Sequence, residues 1–194
     1  MTSVEEASRT TTEPTSESMR RTLGRFMTGV TVVTAITQEG QPAGCTVSAF
    51  SSLSLDPPLV LVCVNQGRNM HHVLETAPGF AVNILRADQR DVALSFAHIR
   101  VDRFAGLHAV AGRHRAPLLD GAIAHVECDR YAVLEGGDHR IVVGRVRRLA
   151  AYDGEPLLYA SGRFLDLSPC AWDRAPTDVG PDTGVNEWML SASW

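Results

Sequence analysis

Residues 122–152 have the sequence AIAHVECDRYAVLEGGDHRIVVGRVRRLAAY, and this stretch decides the fold. The segments 122–134 and 140–152 are rich in β-branched and apolar residues, a composition typical of long strands. Between them, EGGD (135–138) is a strong turn signal, because glycine and aspartate accept the backbone angles of a tight hairpin. The stretch therefore predicts a long antiparallel β-hairpin.

The rest of the chain predicts further strands with short helices between them. Strands are expected at 29–37, 45–55, 59–64, 79–85 and 156–167, helices at 18–27, 70–77 and 88–97, and an irregular stretch from there to Pro117. The first helix is expected to be amphipathic, and the third to be N-capped. The alternation of strands and helices is too weak for a doubly wound sheet, and no GxGxxG follows the first strand. Many short strands with hairpin connections favour a mainly β fold, a closed or partly closed antiparallel barrel.

The two ends of the chain differ in composition from its middle. Residues 1–17 are rich in Ser, Thr and Glu, with few apolar groups to offset the entropy of ordering, so they are predicted to be a disordered tail. Residues 18–169 are predicted to form one folded domain. Residues 170–194 contain Gly, Pro, Asp and three tryptophans, and are expected to be a C-terminal extension.

Length and charge exclude several classes of protein. The chain has 194 residues, 44% of them hydrophobic and 21% charged, as in globular proteins. No apolar run approaches the roughly 20 residues that span a bilayer, and the N-terminus lacks the apolar stretch of a signal peptide. We therefore expect a cytoplasmic protein without a membrane partner. The net charge is −4 with no basic run, so a nucleic-acid partner is not expected.

The lysine, cysteine and histidine content of the chain excludes further kinds of functional site. All 18 basic residues are arginines, which excludes a Schiff-base lysine for pyridoxal phosphate and the lysine of a P-loop. The four cysteines lack CxxC spacing, and three lie in apolar strand-like segments, so neither a disulfide framework nor a zinc site is expected. His71 and His72 are neighbours on a predicted helix and are expected not to share a ligand face. No metal site is predicted.

Six segments, taken together, resemble the flavin reductase family. They are TGVTVVTA (28–35), AGCTVSAFSSLSLDPPLVLVCV (43–64), GFAVNIL (79–85), SFA with DRFAG (95–97 and 102–106), GDHRIVVGRV (137–146) and PLLYASGRF (156–164). They come in the family's order and spacing over residues 19–168, and the most similar branch is the reductase components of two-component flavin-dependent monooxygenases. The resemblance implies a split β-barrel with the FMN-binding, flavin reductase-like fold, and a homodimer that binds FMN or FAD between its subunits. It also implies NADH or NADPH as co-substrate, and a partner monooxygenase that receives the reduced flavin.

The segment CTVSAFSS offers the groups that a flavin needs. Thr46 and Ser48 share a face by the two-residue period of a strand, and the backbone around Val47 can meet the pyrimidine edge of the ring. Ser51 and Ser52 supply hydroxyl and N–H donors suited to a phosphate. A Ser/Thr-rich edge strand without any ligand accounts for the same composition, and the family pattern favours the flavin site.

A second anion site is expected after the buried strand at 59–64. Asn65, Arg68 and Asn69 precede the helix that is predicted to begin near Met70. The N-terminus of a helix together with an arginine and an asparagine can form an anion-binding site. The resemblance implies that the residue at the position of Asn69 binds phosphate. A polar turn that caps the helix is the alternative, and the two roles are compatible.

The resemblance also places Phe96 and Ala97 near the flavin ring and its side chain, with Arg103 in the DRF segment that follows. A phenylalanine on an amphipathic helix is equally well explained as a core residue. The sequence leaves both interpretations of Phe96 open.

His139 is the residue with the sharpest functional interpretation. It follows a Gly-Gly-Asp turn, so it is expected at the tip of the long hairpin rather than in the core. In the family the histidine of GDH lies near the bound nicotinamide, which implies that His139 positions the dinucleotide by hydrogen bonding or stacking. Hydride transfer itself requires no protein acid or nucleophile, because the cofactor carries the chemistry.

Two other functions stay open at this point. One is an oxidase with tightly held FMN, similar to pyridoxamine-phosphate oxidase, although GDH and SLDPP weigh against it. The other is a non-enzymatic flavin-binding module that responds to redox state. The sequence decides neither FAD against FMN nor NADH against NADPH, and it does not identify the monooxygenase. Four arginines are candidates for contact with a 2′-phosphate: Arg140, Arg145, Arg147 and Arg148.

Overall fold

The computed structural model describes residues 13–67, 69–98 and 103–165. Most of the predicted tail at 1–17 and all of the C-terminal extension at 170–194 therefore lie outside the described residues, as does Arg68. Helix α1 (Ser16–Leu23) includes the last two residues of the segment that was predicted as a tail. Thr15 and Ser18 form a capping box there, which satisfies backbone donors that a helix start otherwise leaves unpaired.

The long hairpin is confirmed. Strands β9 (Ala124–Gly136) and β10 (His139–Ala151) pair antiparallel, with Gly136 opposite His139. The connection is shorter than the predicted turn at 135–138, since only Gly137 and Asp138 lie between the strands. Gly137 has a φ of +71°, an angle that glycine adopts without steric cost. Two register shifts along the pair, between Val143 and Gly144 and between Val146 and Arg148, interrupt the alternation of side chains.

The described strands form one large sheet and two small ones. The large sheet has seven strands in the order β3-β2-β6-β9-β10-β5-β4, and every neighbouring pair is antiparallel. Its other members are β2 (Thr31–Ile36), β3 (Pro42–Val47), β4 (Phe50–Leu55), β5 (Pro58–Asn65) and β6 (Gly79–Ile84). The small sheets contain β1 (Thr28–Gly29), β7 (Ala109–Ala111), β8 (Pro117–Leu119), β11 (Leu158–Ala160) and β12 (Arg163–Leu165).

Two segments that were expected to be single strands are each two strands. The segment 45–55 breaks at Ser48, so β3 and β4 follow each other in the chain but form opposite edges of the sheet. The segment 156–167 turns at Ser161 and Gly162, whose φ angles are +49° and +78°, and β11 pairs with β12 as a hairpin. The stretch before Pro117 is also more regular than expected, since it contains β7.

The three helices exist, with different boundaries. They are α1, α2 (Met70–Thr76) and α3 (Arg90–Ala97). No residue of α1 is buried, and the helix ends at Leu23, so the expected apolar face is exposed rather than packed. The predicted N-cap of α3 is wrong. Asp88 instead accepts two hydrogen bonds from the Arg86 side chain, at 2.7 and 2.8 Å, and this local pairing competes with capping.

Two apolar clusters pack on the sheet. The first contains Val33, Val62 and Val142 together with Met70 and Leu74 of α2. The second lies under α3 and contains Val30, Val32, Leu85, Phe96 and Leu157. Neighbouring residues of β2 enter different clusters because successive side chains of a strand point to opposite faces. Helix α3 is thereby fixed against β2 and β3, which positions one wall of the site described below.

Asn83 joins the second cluster to the small strand β8. Its side chain is fully buried, and its amide nitrogen donates to the carbonyl of Val32 at 2.9 Å. Its oxygen accepts from the Leu119 N–H at 2.8 Å. A buried amide with these partners is satisfied, so it adds directional contacts between β2, β6 and β8 that apolar packing does not provide.

Candidate functional site

A cavity of about 820 Å³ opens between β3, β5, α3 and the β11–β12 hairpin. Its volume lies in the range of small-molecule and cofactor sites. Valine and alanine side chains form much of the wall, among them Val30, Val47, Val64, Ala93 and Ala97. Such a wall suits a flat apolar ring, and the polar groups around it can then fix the orientation of that ring.

The end of β3 forms one wall, as the sequence predicted for Thr46, Val47 and Ser48. The Thr46 hydroxyl donates to the carbonyl of Ala93 at 2.6 Å, so it ties β3 to α3 rather than facing a ligand unpaired. Ser48 is exposed and lies just past the end of the strand. The two-residue period that was expected to align Thr46 with Ser48 therefore stops before Ser48. The cavity still brings both residues to one wall.

Asn65 and His139 form a second wall, where β5 pairs with β10. The Asn65 side-chain oxygen accepts from the Gly67 N–H at 2.7 Å, which holds the turn after β5. His139 stands at the start of β10 with its side chain 39% exposed, as expected for a residue beside the hairpin tip.

The orientation of the His139 ring is set by Asp138. The His139 Nδ1 lies 2.7 Å from a carboxylate oxygen of Asp138, and the hydrogen bond from His139 lowers the pKa of that carboxyl. An ionised carboxylate can only accept, so Nδ1 carries the proton. In the neutral ring, Nε2 then has a lone pair that can accept a hydrogen bond from a ligand.

Helix α3 carries Ala97 to the cavity but turns Phe96 away from it. Phe96 is fully buried in the second apolar cluster, where its ring meets Phe104 edge to face at 4.9 Å. Of the two interpretations of Phe96, the structure thus favours the core residue. Arg103 donates to the carbonyl of Gly44 at 2.6 Å and is not part of the cavity wall. It fastens its loop to β3.

The expected phosphate donors do not reach the cavity in this chain. Ser51 and Ser52 lie on β4 outside the lining residues, and the Ser51 hydroxyl donates to the carbonyl of Ser52 at 2.9 Å. Asn69 precedes α2 but makes no capping hydrogen bond with its side chain, so the expected cap there is wrong. Its backbone already has helical angles, which leaves the side chain poorly placed to cap.

Two cationic residues that the sequence analysis missed line the cavity. They are Arg90, the first residue of α3, and Arg163, the first residue of β12. The arginines considered for a 2′-phosphate lie elsewhere. Arg140 is paired with Glu75 at 2.8 Å, and Arg147 with Asp129 at 2.6 Å. The absence of lysine and the GRF segment indicated that arginines would supply the positive charge of the site. They did not indicate which arginines line the cavity.

Cys63 is one of two cysteines at the cavity wall, and its thiol is not an activated nucleophile. Cys63 is half-buried there, and desolvation raises its pKa. Its thiol therefore stays protonated at neutral pH. The wall offers shape, hydrogen-bonding groups and positive charge, which suit binding and orientation of a cofactor that carries the chemistry.

The prediction that His71 and His72 of α2 do not share a ligand face is wrong. Ligand atoms of His71, His72 and Glu75 all lie within 4.8 Å of one another, because the two rings tilt together with centroids 3.7 Å apart. The Glu75 Oε1 atom lies 2.8 Å from the Arg140 Nε, so one carboxylate oxygen of Glu75 is already in an ion pair. The cluster lies apart from the cavity wall.

Asp129 contacts two arginines and a histidine away from the cavity. Its carboxylate lies 2.5 Å from Arg113, 2.7 Å from His114 and 2.6 Å from Arg147. The Arg113 hydrogen bond, followed by those of His114 and Arg147, holds the pKa of Asp129 well below its usual range, although burial opposes them. The cluster holds the turn at residues 113–115 against β9 and β10.

We expect Asp129→Asn to lower the free energy of unfolding by about 1–2 kcal/mol at neutral pH, because three donors lose their charged acceptor. The folded-state pKa of Asp129 is depressed. Its stabilisation is thus present above the unfolded pKa of about 3.9 and is lost as pH falls through the folded value. Urea unfolding from pH 7 towards pH 2 should show the gap between wild type and variant narrowing below about pH 4. Asp153→Asn removes the same charge from an exposed position, and an equal effect of that control would contradict the assignment.

The domain is mainly β, and its cofactor-sized cavity has an apolar wall and two arginines, features that suit an anionic ligand with a flat ring. The comparisons with known proteins identify the class. Residues 23–168 match the model of the flavin reductase like domain, and the chain belongs to this family. The resemblance seen in the sequence is confirmed.

Several relatives have names that state an activity. The chain is 44% identical over 159 residues to an NADH-dependent FAD reductase from Streptomyces globisporus, covering 79% of this chain and 86% of the relative. It is 44% identical over 150 residues to the reductase component of a 4-nitrophenol 4-monooxygenase/4-nitrocatechol 2-monooxygenase from Rhodococcus opacus, covering 77% and 80%. The solved structure of the Streptomyces globisporus NADH:FAD oxidoreductase, in complex with NAD and FAD fragments, superposes with a TM-score of 0.75. The two chains are 43% identical, and the match covers 79% of this chain and 93% of that one.

None of the helices in the described part of the chain has both the length and the apolar character needed to cross a membrane.

Proposed function

We propose that this protein is an NAD(P)H-dependent flavin reductase that supplies reduced FAD or FMN to a partner monooxygenase. The observation that carries the proposal is the cavity itself, in which the end of β3, the start of β10 and helix α3 meet around an apolar wall. Family membership supports the reaction, since matched relatives are named as NADH-dependent flavin reductases and as reductase components of monooxygenases.

In the proposed complex the flavin is a substrate whose ring lies on the apolar wall between Val47 and Ala97. Backbone groups from Thr46 to Ser48 meet the polar edge of the ring, because the Thr46 hydroxyl is already bonded to α3. The flavin supplies the hydride-accepting chemistry, and the chain supplies position and exclusion of water. Hydride transfer needs the two rings to lie about 3–3.5 Å apart with the correct orientation.

His139 is proposed to position the nicotinamide of NAD(P)H. Asp138 fixes the proton on Nδ1, which leaves Nε2 able to accept a hydrogen bond from the nicotinamide carboxamide. The ring is partly exposed at the cavity wall, so a second substrate can reach it. His139 therefore acts by orientation, and neither proton transfer nor covalent attack is assigned to it.

We also propose that the sheet is the split barrel implied by the sequence. Its edge strands, β3 and β4, are joined by Ser48 and Ala49, and β3 contacts β5 across the sheet. The Ala49 carbonyl accepts from the Cys63 N–H at 3.0 Å, which draws this connection onto β5. An antiparallel sheet whose edges approach in this way curls around its core.

A homodimer is the proposed state in solution. Cys63, Ile141 and Leu134 lie side by side on the outer face of β5, β10 and β9, and Leu134 is 53% exposed. Leu61 lies two residues from Cys63 on the same face of β5. Ser51 pairs with Leu61 and points to the same outer side. Cys63 also lines the cavity, so a partner subunit on this face would border the site.

Light scattering at micromolar concentration is expected to give twice the mass of the chain. Leu134→Glu places a charge in the proposed interface and should shift the mass to that of a monomer. Val110→Glu is the matched control, since Val110 is 68% exposed on the separate strand β7. A wild-type monomer that still binds flavin would contradict the dimer.

The reaction is tested by following NADH and NADPH oxidation by the purified protein with and without free FAD or FMN. Steady oxidation that requires added flavin is the expected result. Flavin that stays bound through purification, together with oxidase turnover, would favour the oxidase alternative. Flavin binding without NAD(P)H turnover would favour the non-enzymatic module.

A further inference from the structure

Arg90 and Arg163 are exposed cations at the wall of the cavity. Within residues 13–67, 69–98 and 103–165, the ion pairs include neither of them. Several other arginines have carboxylate partners, Arg86 and Arg113 among them. Two guanidiniums without carboxylates at one cavity favour an anionic ligand, and the planar guanidinium matches phosphate geometry well.

Aromatic rings hold this part of the wall in place. The Arg90 guanidinium carbon lies 5.3 Å from the centroid of the Phe164 ring, a cation–π distance. Phe164 in turn meets Tyr159 edge to face at 5.3 Å, and both rings line the cavity. Positive charge beside aromatic surface is a combination that suits a nucleotide, whose phosphate and base need these two kinds of contact.

The position of the pair along α3 suits an extended ligand. Arg90 opens the helix and Ala97 ends it, so the two residues are about 10 Å apart at 1.5 Å per residue. A ring held near Ala97 would therefore leave its phosphates near Arg90. Ser51 and Ser52, the donors expected from the sequence, are not part of this wall.

We propose that Arg90 and Arg163 bind the diphosphate of a dinucleotide that occupies the cavity. The inference rests on the proposed function, in which FAD and NADH both carry a diphosphate. The chemistry recognised is the same for both molecules, and the experiment separates them.

The test is the double variant Arg90→Gln and Arg163→Gln, which removes both charges and keeps a polar hydrogen-bonding side chain at each position. Dissociation constants for FAD and riboflavin are measured by fluorescence quenching, and the Michaelis constant for NADH by steady-state kinetics. If the diphosphate belongs to FAD, its dissociation constant rises about tenfold or more, while riboflavin, which lacks phosphate, binds as before. If it belongs to NADH, the Michaelis constant for NADH rises by that factor and FAD affinity is unchanged.

Riboflavin affinity also reports whether the variant is folded, and Arg163→Gln alone is a milder second variant. Arg148→Gln is the charge-matched control, because Arg148 is exposed and outside the cavity wall. FAD and NADH constants that equal those of this control overturn the proposal. It is overturned equally if Ser51→Ala with Ser52→Ala weakens FAD binding and the arginine variant changes neither the FAD constant nor the NADH constant.

Calorimetry with ADP gives a readout that needs no turnover. ADP is expected to bind the wild type and to lose about tenfold in affinity in the double variant. If ADP binds both proteins equally, the arginines are not the diphosphate site. If the wild type shows this arginine-dependent binding but no flavin-dependent NADH oxidation, the proposed function fails and the dinucleotide site stands.

Discussion

His139→Ala is expected to impair the reduction of bound flavin by NADH by between about tenfold and a hundredfold, with flavin affinity near that of the wild type. The reason is that a small misplacement of two reacting rings has a large effect on hydride transfer. The ring of His139 lies at the cavity wall and is oriented by Asp138, so its loss removes a fixed contact. Stopped-flow reduction of the flavin-bound protein over a range of NADH concentrations measures the effect.

The same experiment separates two roles of His139. A raised half-saturation concentration with an unchanged limiting rate means that the histidine only binds the dinucleotide, whereas a lowered limiting rate means that it sets the ring geometry. The side chain is partly exposed, so the substitution should change stability by no more than about 0.5 kcal/mol. His72→Ala is the control, since His72 is exposed on α2 outside the cavity wall. Unaltered reduction at every NADH concentration would make His139 a turn residue only.

Gly79→Ala is expected to cost about 3 kcal/mol of folding stability, the upper end for overpacking in a core. A methyl group there would lie closer than 3.0 Å to the carbonyl oxygen of Cys128 and to the ring of His114. The carbonyl belongs to the neighbouring strand β9 and cannot rotate away, and His114 is held by Asp129 at 2.7 Å. Either β6 separates from β9 or the Asp129 cluster opens.

Urea unfolding at neutral pH measures this loss. Gly29→Ala is the matched control, because Gly29 is also in a strand and an added Cβ there has no neighbour within 4 Å. The control should be neutral or slightly stabilising, since alanine restricts the unfolded chain more than glycine does. Equal stability of the two variants would show that β6 and β9 are less closely packed than the structure has them.

Much of the fold could be predicted because its signals are local. The β9–β10 hairpin combines two apolar strands with a Gly-Gly-Asp turn, and all of that information lies within residues 122–152. Helix α2 was also expected at nearly its observed limits. The separation of β3 from β4 was not predictable in this way, because no glycine or proline marks the change of direction at Ser48. That break depends on which strands each half pairs with, β2 and β5.

The candidate site likewise contains some residues that the sequence predicted and others that only the structure placed. Thr46, Val47, Ser48, Asn65, Ala97 and His139 were expected from the sequence, and the structure brings all six to one cavity. The sequence could not predict whether Phe96 packs in the core or lines the cavity. A phenylalanine on a helix fits either place, and only its neighbours in the structure decide between them. Arg103 likewise resembled a site residue and is bonded to the carbonyl of Gly44.

The sequence by itself determined the mainly β class of fold and excluded lysine chemistry, because strand propensity, turn residues and the lack of lysine are properties of the chain alone. It indicated the family through six segments in the family's order and spacing. Only the tertiary structure decided which arginines face the cavity. Arg90 and Arg163 are more than seventy positions apart in sequence and meet at one wall, while Arg140 and Arg147 are neutralised by carboxylates. The physical reason is that the environment of a charge depends on long-range strand pairing and helix packing, which local propensity does not encode.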